Sequence, residues 1–164
     1  MFLRVLGSAA GGGSPQWNCG CPVCAAVRAG AGIARTQSSV AVSADYRRWF
    51  LINASPDVRT QIEAFPGLHP HDDRTTPLDA VLLTDAELDH TLGLLLLREA
   101  RAGLVLYATQ AMHQTLYDGS GLLRTLERYC PVEWRPVVPG ADPAGRLCTS
   151  PFGVKTKISL VVRS

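Results

Sequence analysis

Hydrophobic positions along the chain arrive in short runs. Residues 2–6 are strand-length and mostly apolar, and they give way to residues 7–15, a loop with four glycines and two serines whose backbone is free to adopt unusual angles. Residues 38–42 and 49–52 are β-branched or aromatic and are separated by the polar stretch 43–48, which predicts a hairpin. Asn53 closes the second strand. Ser55 before Pro56 predicts an N-cap and first helical position for a helix to about Phe65, with Ile62 and Phe65 on its inner face. Residues 66–77 mix prolines, histidines and charges without a period and read as a surface loop.

The second half of the pattern differs. Residues 79–83 are apolar after the first position, as in a strand buried on both faces, and run straight into the polar turn 84–90. A helix over 91–100, a buried strand over 104–108 and a helix over 109–117 capped by Thr109 follow. A hairpin followed by strand–helix–strand units predicts an α/β sandwich with a mixed sheet, not a simple doubly wound domain. The pattern thins beyond Pro139, and residues 155–162 alternate enough for one further strand. There is no internal repeat, and residues 1–149 read as one unit.

Composition narrows the partners. With 164 residues, 46% hydrophobic and 18% charged, the chain suits one soluble globular domain. Its net charge of +2 comes from 16 basic and 14 acidic residues without long runs, so no nucleic-acid partner is expected. The first residues turn to glycine too early for a signal peptide, and no window reaches the roughly 18 apolar residues of a membrane helix. A cytoplasmic protein without membrane association is expected. Five cysteines, an odd number with three crowded together, fit a reducing compartment and metal binding better than a disulfide framework.

Those three are Cys19, Cys21 and Cys24. Three thiolates on so tight a turn can converge on one tetrahedral Zn²⁺, with Gly20 and Pro22 favouring the bend. The fourth ligand is open among Cys130, Cys148, a histidine and sequence outside this chain, and a thiolate-rich closed site is structural, not catalytic. A second constellation, Asp85, Glu87, Asp89 and His90, stands where a buried strand runs out into a helix, the end of an open α/β sheet at which ligands bind. Three carboxylates and an imidazole suit iron, manganese or magnesium. The same residues also read as an Asp85 helix cap, a solvated Glu87 and a local Asp89–His90 hydrogen bond. Asn53, Ser55 and Asp57 are expected to cap a helix, and His69, His71 and His113 to be solvated or packed. The glycine run 11–13 lacks either phosphate-binding motif and reads as a tight turn.

Taken in order, residues 6–24, 34–40, 53–57, 83–90 and 93–99 resemble the coenzyme PQQ synthesis protein B family, with 11–19 and 84–90 the most specific blocks. The resemblance runs from Met1 to about Pro139, and residues 150–164 diverge from it. It implies the metallo-β-lactamase fold, an αββα sandwich of which this chain carries the N-terminal half, since members are about twice as long. It implies structural Zn²⁺ on Cys19, Cys21 and Cys24. Asp85, Glu87, Asp89 and His90 stand where hydrolases of the wider fold carry HxHxDH, so two leading histidines are replaced and the Asp–His pair survives. Glu87, Asp89 and His90 are thereby implied as metal ligands, and Asp85, Asp89 and His90 as catalytic residues. The implied activity is that of an oxidoreductase: Fe²⁺-dependent hydroxylation, with O₂, of the tyrosine ring in a peptide-derived, crosslinked Glu–Tyr precursor, alongside other PQQ biosynthesis proteins. Help in moving the quinone or its precursor to the periplasm, and metal-dependent hydrolysis on the same fold, are the alternatives.

Overall fold

A computed structural model describes residues 1–137. Strand β1 (Phe2–Gly7) is followed by a long excursion that carries helix α1 (Pro22–Arg28), and the chain rejoins the sheet as β2 (Ser39–Ser43) and β3 (Trp49–Ile52). Helix α2 (Val58–Glu63) then leads to β4 (Leu78–Leu82), helix α3 (Leu88–Thr91) to β5 (Leu104–Ala108), and helices α4 (Gln110–Gln114) and α5 (Leu122–Leu126) to β6 (Val132–Pro136). The six strands lie side by side in chain order. The first three pair antiparallel and the last three join in parallel, so the expected mixed sheet is present.

The switch from antiparallel to parallel has a local cause. Between β2 and β3 the chain reverses tightly: Asp45 Oδ1 accepts from the backbone N–H groups of Arg47 and Arg48, Ser43 Oγ accepts from that of Tyr46, and Tyr46 takes a left-handed φ of 67°. After β3 the chain crosses over through helices, which return each strand in the same direction.

Alternation decides the faces. Ala41, Trp49, Leu51, Val81, Leu104 and Leu106 point to one side, where the last four bury against Val58, Leu94, Leu116, Leu123 and Leu126 and the first two against Phe65 and Leu68. A smaller aromatic layer continues it, with Trp49 edge-on to both Tyr46 (5.2 Å) and Phe65 (5.0 Å). The registers Leu3↔Val42, Val42↔Phe50, Phe50↔Ala80 and Ile52↔Leu82 place a second apolar row on the opposite face.

Several expectations shift. The helix after β3 starts at Val58 with Asp57 as N-cap residue, later than Ser55–Pro56, because the Ser55 hydroxyl donates to Gln61 Oε1 and the Asp57 carboxylate is taken by Gln37. The helix expected over 91–100 is instead α3 followed by a 3₁₀ stretch, Leu92–Leu97. Gly93 sends its N–H out of the helix to the carbonyl of Ala54, which interrupts the ladder there. The loop at 66–77 opens with a 3₁₀ turn, Pro66–Leu68. Thr109 caps α4 as expected, accepting from Met112 N, and the chain runs on into a π-turn, Thr115–Gly119. Helices α1 and α5 and strand β6 went unread in the sequence, being short and with weak periods. The strand expected over 155–162, the divergent segment 150–164 and Cys148 lie outside the described residues. Among the described residues no helix is long and apolar enough to cross a membrane.

Candidate metal centres

The first centre is built on the tip of the excursion between β1 and β2. Cys21 is the N-cap residue of α1, Pro22 occupies its first turn, and the Cys21 carbonyl accepts from Ala25 N at 2.9 Å. This places Cys24 one turn above Cys21 and on the same side. Cys19 arrives from a preceding turn closed by Cys19 N to Gln16 O (3.0 Å). The result is that the three Sγ atoms lie within 4.8 Å of one another, with Cys24 buried, Cys19 half-buried and Cys21 exposed. Zn–S bonds of about 2.3 Å imply S···S edges of roughly 3.8 Å in a tetrahedron, so a small contraction brings all three onto one ion.

The electrostatics favour a cation. The Cys24 backbone N–H, reinforced by the thiols of Cys19 and Cys24, holds the Cys21 thiol down to about 7. A Cys21 N–H favours the Cys19 thiolate too, but the neighbouring thiols, burial and the Cys21 charge outweigh it and raise Cys19 above its usual value. Thiolates that repel one another at this range are what a divalent ion neutralises. Arg28, at the end of α1, donates to the carbonyls of Gln16, Trp17 and Cys19 and so braces the turn through its backbone. No sequence signal marked Arg28, because its partners are backbone atoms. Cys130 is packed in the main core, where burial raises its thiol, and is not part of this group.

The second centre stands at the C-terminal ends of β3 and β4. Asn53 leaves β3 with a left-handed φ of 61°, and its amide spans to the next strand: Nδ2 donates to Thr84 Oγ1 at 2.9 Å, while Oδ1 accepts from Thr84 N at 2.9 Å. Asp85 follows. Its Oδ1 accepts from Glu87 N (3.0 Å), its Oδ2 lies 3.1 Å from the Thr84 hydroxyl, and both oxygens lie 2.8 Å from His90 Nδ1. Burial alone would raise the Asp85 carboxyl, but the Glu87 N–H, the His90 ring and the Thr84 hydroxyl outweigh it and hold it below the ordinary range. A carboxylate can only accept, so in the neutral ring the His90 proton belongs on Nδ1, which makes Nε2 the acceptor. That nitrogen lies 3.9 Å from Asp89 Oδ2. His90 is also fixed by its backbone: its carbonyl accepts from Ala54 N (2.8 Å) and its N–H donates to Glu87 O (3.0 Å).

The four residues expected to share a metal or catalytic site lie in one turn, but their surroundings differ. Asp85 grips the imidazole, Asp89 shares the outer side of that ring, and Glu87 is exposed as the residue before α3. Among the described residues the cysteines are the one group of three or more ligand atoms close enough to share an ion, so Glu87 is not gathered with Asp89 and His90. Asp57 holds the N-cap position of α2 as expected, but its carboxylate, like the Asn53 amide, bonds to another segment instead of capping the helix.

Comparison with known proteins adds to this geometry. The model of the β-lactamase superfamily domain matches residues 48–149. A coenzyme PQQ synthesis protein B from Methylococcus capsulatus is 51% identical over 140 residues, which cover 84% of this chain and 46% of that protein. The crystal structure of Zn²⁺-bound PqqB from Methylobacterium extorquens superposes with a TM-score of 0.77 at 45% identity, over 84% of this chain and 46% of that one. A diphosphatase from the PhnP family gives a TM-score of 0.66 at 28% identity, over 85% of this chain and 51% of that one. The chain therefore spans about half the length of the relatives it matches.

Proposed function

The chain belongs to the β-lactamase superfamily, and within it we propose a role in pyrroloquinoline quinone biosynthesis, as part of a protein that hydroxylates the tyrosine ring of a peptide-derived, crosslinked Glu–Tyr precursor. The observation that carries this reading is the 51% identity to a coenzyme PQQ synthesis protein B over 84% of the chain. The convergence of Cys19, Cys21 and Cys24 supports structural Zn²⁺ at the knuckle, and the similar PqqB structure is itself Zn²⁺-bound.

At the second centre, Asp89 and His90 Nε2 would hold Fe²⁺, with exposed Glu87 as a further ligand on rotation of its side chain. A carboxylate and an imidazole side by side are a donor pair that fits such an ion. Iron supplies the capacity to use O₂. The protein's own part is to keep the proton of the neutral His90 ring on Nδ1 through Asp85, leaving Nε2 for the ion, and to present the Asp89 carboxylate beside it. Catalytic roles thus fall to Asp89 and His90, and a positioning role to Asp85. The precursor, O₂ and other proteins of the same pathway are its partners, in the cytoplasm.

Hydrolysis is the second reading, favoured by the 28% identity to a diphosphatase. It requires two metals bridged by water, and the positions that carry leading histidines in such sites hold Asp85 and Glu87 here. Anaerobic purification, elemental analysis and incubation with the precursor, O₂ and a two-electron reductant such as ascorbate, which carries the second oxygen atom to water, separate the two. One zinc and one iron per chain, with uptake of one oxygen atom by the precursor, is the expected result. Two zincs, with phosphodiester cleavage and no oxygen uptake, would overturn it in favour of the hydrolase.

A further inference from the structure

The glycine run that begins the excursion belongs to neither centre, yet it lies against Asp89 and is joined to the cysteine turn through Gln16 and Arg28. The chain leaves the sheet at Gly7 and re-enters it at Ser39, and the two legs are laced together. Ser8 N and Ala9 N donate to Thr36 O at 3.0 and 2.9 Å, Ser14 and Arg35 exchange N–H···O bonds of 2.8 and 2.7 Å, and Gly12 N donates to Gln37 Oε1 at 3.1 Å. Gln37 is anchored in turn. Its backbone N–H and side-chain amide both donate to Asp57 Oδ2, at 2.8 and 3.2 Å, and its carbonyl accepts from Gln61 Nε2 at 2.7 Å.

At the foot of these legs the loop rests on the second centre: a Cβ on Gly11 would lie 3.4 Å from Asp89 Oδ2. At their tip it ends in the cysteines. Between the two, the Gln16 side chain packs against Gly12, whose φ of 91° lets it pass so close that an added Cβ would stand 2.8 Å from Gln16 Cγ. Arg28 then holds the Gln16, Trp17 and Cys19 carbonyls together. Contact is continuous from Cys19 through Arg28, Gln16, Gly12 and Gly11 to Asp89.

We infer that the cysteine knuckle and the Asp89–His90 pair are mechanically coupled through this loop: a thiophilic divalent cation on Cys19, Cys21 and Cys24 closes the tip, and the closed tip sets the glycine run against Asp89. Without a cation the tip is held only by Arg28 and the rungs between the legs, whereas an ion shared by three side chains ties the tip to itself and removes the remaining freedom of the excursion. Linkage makes the effect reciprocal, so an ion on His90 tightens the knuckle by the same factor. Gln37 and Arg28 are positioning residues in this scheme, since neither is a candidate ligand. The inference rests on the reading of Asp89 and His90 as a site only for its consequence; the coupling itself is a property of the loop.

Cadmium reads it directly. One equivalent of ¹¹³Cd²⁺ titrated into the metal-free chain reports thiolate ligation by its own resonance, while imidazole ¹⁵N signals follow His90, with His113 as internal control. The expected result is that the His90 signals and the Gly11 and Gly12 amides shift in the same step as the cysteines fill, and that exchange of the Gly12 amide slows about tenfold. Arg28→Met, an exposed change that leaves the thiolates in place, should keep the thiolate cadmium signal and lose the shift at His90; Gln37→Leu should do the same. Filled cysteines with unmoved His90 and glycine signals, or a shift that survives in Arg28→Met, overturn the coupling. Because no iron or oxygen chemistry is read, failure here is distinct from failure of the hydroxylase reading.

Discussion

Gly93 is the position at which the second centre is most exposed to a single methyl group. A Cβ there would stand 2.0 Å from Ser55 O and 2.6 Å from Ala54 O, and both are backbone atoms that cannot swing aside. Carbon–oxygen contact requires more than 3 Å, so in Gly93→Ala the segment 90–93 must retreat by about 1 Å. That retreat pulls on both bonds that dock it, Gly93 N to Ala54 O (2.9 Å) and Ala54 N to His90 O (2.8 Å). Overpacking of this kind costs about 1–3 kcal/mol and each weakened hydrogen bond about 1 kcal/mol, giving a loss of about 3–5 kcal/mol. For a domain of this size that is a fall in Tm of roughly 10 °C. Urea unfolding followed by circular dichroism measures it, with Gly20→Ala as control, since nothing lies within 4 Å of a Cβ added there. A loss below about 1 kcal/mol in Gly93→Ala would show that the 53–55 backbone yields. The docking of His90 on that backbone would then lose its physical basis.

Four other outcomes follow from the same geometry. Asp85→Ala removes the acceptor for His90 Nδ1 and frees the ring, so divalent-metal affinity at His90 should fall about 10–100-fold by calorimetry, with the knuckle's cadmium binding retained. The Asp85 carboxyl sits below its unfolded value, so its contribution to stability is present above about pH 4 and is lost as pH falls through the folded value. With that side chain 41% exposed, screening keeps the effect under about 1 kcal/mol, and the gap in urea midpoint between wild type and Asp85→Ala should close on acidification. In the metal-free chain, alkylation should strike Cys21 first among Cys19, Cys21, Cys24 and Cys130, with a rate rising through a pH of about 7, and zinc should suppress it. Thr109→Ala deletes the hydroxyl that accepts from Met112 N and should cost about 1 kcal/mol in the same urea assay without touching metal binding.

What the chain declares by itself is local chemistry. The spacing of Cys19, Cys21 and Cys24 across Gly20 and Pro22 announces a thiolate knuckle, because residues so close in sequence cannot be far apart in space. The apolar run before Thr84 and the acid-rich turn after it announce a strand end carrying Asp85, Glu87, Asp89 and His90. The β-branched and aromatic runs at 38–42 and 49–52, with the polar stretch 43–48 between them, announce the hairpin, and the helix cap at Thr109 is readable from residue type alone.

Tertiary structure decided which of those residues does what. Asp85 became the partner of His90 Nδ1, and Asp89 the neighbour of Nε2, through the path of a helix only four residues long, which no period could reveal. The 3₁₀ stretch after it exists because Gly93 bonds to Ala54, a residue far back in the chain. Asn53 and Asp57 look like caps in sequence, yet the strands and legs beside them offered stronger partners in Thr84 and Gln37. The role of the glycine run is likewise invisible until Asp89 is folded beneath Gly11. Side-chain chemistry and short spacings travel with the sequence, whereas a hydrogen-bond partner or a steric limit from a distant backbone exists only once the chain has closed on itself.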